Sequence, residues 1–81
     1  MGIEEQQKRF ARFLERLIEG RIRQADWPTF VVEHYCDERL ETVRRDLVRY
    51  AISQDGQWDP LALSEEQRTV VTRLRKQVTK Q

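Results

Sequence analysis

Only one cysteine, Cys36, occurs in the 81 residues, so no internal disulfide can form and the fold must stand on packing alone. A chain this short buries only about two-thirds of the surface it exposes when unfolded, so its stability margin is thin. Glycine is scarce, and Gly2, Gly20 and Gly56 stand apart from one another, which excludes a Gly-rich phosphate loop. No serine stands in a nucleophile elbow. No apolar run approaches the length that spans a bilayer, so no membrane is expected as a partner. The opening Met1-Gly2-Ile3-Glu4-Glu5 is acidic where a secretory signal is basic, and Gln6 stands where a myristoylation signal wants Ser or Thr. The expected compartment is the cytoplasm. An excess of one charge is lacking too: 15 basic and 14 acidic side chains leave +1, which excludes a strongly basic nucleic-acid binder on bulk charge.

What is present is charge in blocks. Residues 1–25 carry +2, 26–41 carry −4, 42–54 carry +2, 55–66 carry −4 and 67–81 carry +5. Alternation of this kind favours contacts between segments of opposite sign. It also leaves a basic C-terminal end around Arg73, Arg75, Lys76 and Lys80.

Apolar periodicity predicts an all-α fold, either a compact four-helix bundle or an orthogonal helical array, with helices over about 3–23, 27–36, 38–53 and 64–78 in a single domain, 1–81. In the first, Ile3, Phe10, Phe13, Leu14, Leu17 and Ile18 share an arc of about 140°. Asp26 is the expected cap of the second, with Pro28 in the first turn and Trp27, Phe30, Val31, His34 and Tyr35 facing inward. The third, capped by Asp37, points Leu40, Val43, Leu47, Tyr50 and Ala51 inward. Run as one helix, the second and third would swing their apolar arc by roughly 150° between Tyr35 and Leu40. That predicts a break near residues 36–38. Asp55-Gly56 reads as a turn, after which Trp58, Leu61 and Leu63 fold back over the core. Ser64-Glu65-Glu66-Gln67 has the form of a capping box opening the last helix, which buries Val70, Val71, Leu74 and Val78.

Few of these residues assemble into reactive chemistry. His34 and Cys36 lie two positions apart, so on a helix they point about 160° away from each other. One His and one Cys also fall short of the ligand set that zinc takes, so neither metal nor cofactor is expected. His34 reads as a hydrogen-bonded core residue and Cys36 as a small buried or half-buried apolar one. Glu33, Asp37, Glu38 and Glu41 read as a solvated acidic face. An enzyme is not expected.

Binding is the expected mode. Arg, Trp and Tyr are the residue types that dominate protein interfaces, and separate acidic and basic patches steer association. The sequence therefore predicts a small non-catalytic protein-interaction module with a regulatory, antitoxin-like, immunity-like or accessory role. Its candidate contact residues are Arg9, Arg12, Arg16, Arg44, Arg45, Arg49, Trp58, Arg73, Arg75 and Lys76. Arg44 is the odd one, because by phase it falls inside the apolar arc of the third helix. Either its stem lies over the core with its head in water, the favoured reading, or it pairs with an acid such as Asp37, or it marks a covered interface. Two alternatives stand beside the protein partner. Nucleic acid could meet the Arg9/Arg12/Arg16 ridge and the basic C-terminal helix, although the ridge reads first as an ordinary solvated face. A homodimer sharing helices across the phase jump is the other.

Overall fold

Gly20 decides where the first helix ends. The computed structural model describes residues 2–79, and in it α1 spans Ile3–Glu19. Gly20 takes the left-handed conformation (φ 72°), its N–H bonding to the Leu17 carbonyl at 3.2 Å while the Arg21 N–H reaches Arg16 at 2.8 Å. Glycine is there for its φ, since a Cβ would meet only the Leu61 carbonyl at 3.7 Å. The helix therefore stops short of the expected Arg23.

The second helix, α2, spans Asp26–Val32 and is also shorter than expected. Asp26 does not cap it from outside. It is the first helical residue, and its Oδ2 accepts from the Arg23 N–H at 2.8 Å, fixing the turn that precedes the helix. Beyond Val32 the backbone polar groups find partners distant in sequence. The Val31 carbonyl accepts from Arg44 Nη1 at 2.8 Å, the Tyr35 N–H donates to Glu41 Oε1 at 3.2 Å, and the Cys36 N–H donates to Gln6 Oε1 at 3.2 Å. These bonds satisfy the Val31 carbonyl and the Tyr35 and Cys36 N–H groups without another helical turn. His34 and Cys36 are exposed in consequence, not buried as expected from a longer helix.

The predicted break is there, and α3 spans Glu38–Ser53 with Asp37 at its N-cap, its side chain accepting from the Arg39 N–H at 3.4 Å. Asp55 and Gly56 then turn the chain with positive φ (53° and 81°). Trp58 and Leu63 pack half-buried on the core, whereas Leu61 stays 42% exposed instead of joining them. The last helix, α4, spans Glu65–Thr79, and the capping box forms reciprocally: the Gln67 N–H donates to Ser64 Oγ at 3.1 Å and the Ser64 N–H to Gln67 Oε1 at 2.9 Å. Gln67 does more than cap. Buried, it also donates through Nε2 to Gln54 Oε1 at 3.1 Å and to the Gln57 carbonyl at 3.3 Å, tying the α3–α4 connection to the helix start.

The four helices form an all-α array with no strand among the described residues. α1 and α4 run antiparallel in close contact, with Gln7 Nε2 bonded to the Val78 carbonyl at 2.6 Å, and α4 packs in turn on α3. The core they enclose joins Phe10, Leu14 and Leu17 to Phe30, Leu40, Leu47, Val71 and Val78, all with 2% exposure or less. Full burial of a large apolar side chain contributes about 1.5–3 kcal/mol, so this set is the main stabilising feature. Ile3, at the ragged start of α1, is 56% exposed and lies outside that core. No described helix is long and apolar enough to cross a membrane. Lys80 lies outside the described residues.

Candidate functional site

Arg9, Arg12 and Arg16 are spaced to share one flank of α1. α2 lies beside that flank, and acids at its two ends answer two of them: Arg9 Nη2 stands 3.2 Å from Oε1 of Glu33, just past the helix, and Arg16 Nη2 stands 3.8 Å from Asp26 Oδ2. The ridge is solvated, as expected, but two of its arginines are paired. Pairs this exposed contribute no more than about 1 kcal/mol each, so they set charge and shape more than stability. Arg12, between them, has no ion-pair partner among the described residues.

Beneath the ridge lies an aromatic floor. Phe13 stacks on Phe30 with ring centroids 4.4 Å apart, and Phe10 stacks on Tyr35 at 4.8 Å with planes 3° from parallel. Burial, reinforced by the nearby Glu33 carboxylate, pushes the Tyr35 phenol well above its ordinary range, so it stays neutral. The ridge, Phe13, Phe30, Tyr35 and the two acids line an open groove of about 240 Å³, whose wall also carries Thr29. That is below the usual volume of a site for a drug-sized ligand, about 300–1,000 Å³, and suits inserted side chains.

Arg44 is not on the surface. It is 6% exposed and pairs with Glu41, Nε donating to Oε1 at 2.8 Å and Nη2 to Oε2 at 2.7 Å, while Nη1 holds the Val31 carbonyl. The guanidinium does not extend to water, and its acid is Glu41, not Asp37. An interior Arg engaged on all three sides offers nothing to a partner, so it leaves the set of contact residues. Glu41 correspondingly leaves the solvated acids. The Arg44 hydrogen bonds hold its carboxyl far below the usual carboxylate range against the opposing effect of burial, helped by the Tyr35 N–H and by His34, whose Nδ1 lies 3.2 Å from Oε2. The signal for this pair was present in the sequence as an Arg on an apolar arc with an acid one turn before it.

The other candidates scatter. Arg45 and Arg49 are exposed on α3, Arg45 Nε lying 3.6 Å from Glu41. Trp58 is half-buried between Trp27 (5.1 Å) and Tyr50 (6.0 Å, edge-on), which makes it part of the packing. Arg75 pairs with Glu15 across the α1–α4 seam, whereas Arg73 and Lys76 stand exposed on the outer face of α4. Sequence reasoning missed Asp26, Glu33 and the Phe13–Phe30–Tyr35 floor as parts of one site, because only the packing of α2 on α1 brings them together. Among the described residues, no three His, Cys, Asp or Glu side chains converge as a metal site would require. No family model, curated protein or solved structure matches the chain.

Proposed function

We propose that this chain is a small non-catalytic module that binds another protein through the groove between α1 and α2. The observation that carries this reading is the groove's mixed character: Arg9, Arg12 and Arg16 alternate with Asp26 and Glu33 over stacked aromatic rings. A phosphate backbone entering there finds two of the three arginines already paired with carboxylates, which leaves it only Arg12. A polypeptide presents both signs of charge and apolar side chains, and interfaces enrich the Arg and aromatic residues that line this groove. Arg12 is the cation left for the partner's carboxylate. The exposed free thiol of Cys36 suits a reducing compartment, and the proposal takes the cytoplasm as the place of work.

The test is a comparison of baits. Wild-type chain, Arg12→Glu and the α3 control Arg49→Glu are used to recover complexes with and without nuclease. The reading expects a nuclease-resistant polypeptide complex that Arg12→Glu loses and the control keeps. A complex dissolved by nuclease, or one indifferent to Arg12→Glu, overturns it.

A further inference from the structure

The outer face of α4 differs in chemistry from the groove. Arg68, Thr69, Thr72, Arg73 and Lys76 share one open surface with Glu65 at its N-terminal edge. Arg68, Arg73 and Lys76 are all exposed, and none has an ion-pair partner among the described residues. Glu15 and Glu19 of α1 flank this face, but Glu15 is engaged by Arg75. The exposed large apolar residues are Ile3, Val32, Ile52 and Leu61, so none lies on α4. α4 carries no aromatic residue either.

From this face we infer a second binding activity: α4 lies against duplex DNA and holds its phosphate backbone. Each absence narrows the polyanion. Protein hot spots pair arginine with Trp or Tyr anchors, and this face has arginine but no aromatic residue. A helix that lies on a bilayer inserts an apolar side, whereas the apolar side of α4 is in the core. Single strands are bound by stacking bases on aromatic rings, which are missing here. Phosphate contact alone needs only cations and donors. From residue 68 to residue 76 the helix rises about 12 Å, close to the major-groove width of about 12 Å, so its ends can reach both bordering strands. The Thr69 and Thr72 hydroxyls already donate to the Glu65 and Arg68 carbonyls, so the phosphate contact falls to the three cations. This inference rests on different residues from the α1–α2 groove and stands or fails apart from it.

Fluorescence anisotropy of a short labelled DNA duplex with the full chain tests it. Three phosphate contacts predict an affinity loss of about 40-fold between roughly 50 and 200 mM salt. Arg73→Gln/Lys76→Gln lowers that slope to about a third, because one of three contacts remains. Arg45→Gln/Arg49→Gln removes equal charge from α3 and leaves both slope and affinity unchanged. Circular dichroism of each variant checks that the helices persist. Equal losses in the two double variants overturn the inference, since general charge is then responsible. So do tighter binding to single-stranded DNA, equal binding to phosphatidylserine vesicles, or no duplex binding at low salt.

Discussion

Glu41 and Arg44 face each other one helical turn apart on α3 and close a two-pronged ion pair inside the protein, at 2.8 and 2.7 Å. The pair also fixes what lies beyond its own helix. Arg44 terminates α2 by taking the Val31 carbonyl, and Glu41 receives the Tyr35 N–H of the segment that follows. The end of α2, and with it the far wall of the groove, depends on two side chains of α3.

Removing one member strands the other. Glu41→Ala leaves a guanidinium buried without its carboxylate, and the expected cost is about 3–5 kcal/mol. The double variant Glu41→Met/Arg44→Met removes both charges and costs less than the single change. Urea melts of the two variants decide this. A double variant less stable than Glu41→Ala would show that the Val31 bond outweighs the ion pair.

The same pair makes stability depend on acid. The folded Glu41 carboxyl is held well below the ordinary 4.5, so its contribution is complete above that pH and is lost as pH falls towards the folded value. In this range the unfolded chain takes up a proton that the native state refuses. Unfolding free energy measured from pH 7 down to about pH 3 should therefore decline, and the decline should be shallower in Glu41→Gln. Parallel curves for wild type and variant would remove Glu41 as the source.

Gln67 joins a helix cap to a loop anchor. Ser64→Ala removes only the acceptor for the Gln67 N–H and costs about 0.5–2 kcal/mol. Gln67→Ala loses the return bond to Ser64 and leaves Gln54 and the Gln57 carbonyl without this donor, so it costs more than Ser64→Ala. Chemical denaturation orders the two; the reverse order would contradict the anchoring role.

Leu47, fully buried in the middle of α3, reports on the core. Leu47→Ala should cost about 2–5 kcal/mol in a urea melt. Unchanged stability would mean that the α3 face assigned to the interior is not what holds the helices together.

Local chemistry was readable in the sequence and long-range rescue was not. The Ser64–Gln67 box, the Asp37 cap and the Asp55-Gly56 turn each involve residues a few positions apart, and all three formed. The break between α2 and α3 was visible as a clash of phase. The end of α2 was not, because the groups that terminate it come from Arg44, Glu41 and Gln6, up to 30 residues away. The left-handed Gly20 was an available signal that apolar periodicity alone overran to Arg23. The arginines of the site were legible as a ridge. Their acids were legible only as a block of opposite sign, and the aromatic floor only as core.

Thr29 lines the α1–α2 groove from an exposed position, whereas Thr42 is exposed on α3 and takes no part in it. A photo-crosslinking amino acid placed at each position in turn, and irradiated in the source cells, reads contact directly. A discrete protease-sensitive, nuclease-resistant adduct is expected from position 29 and none from position 42. Equal adducts from both positions, or a nucleic-acid adduct from position 29, would contradict it.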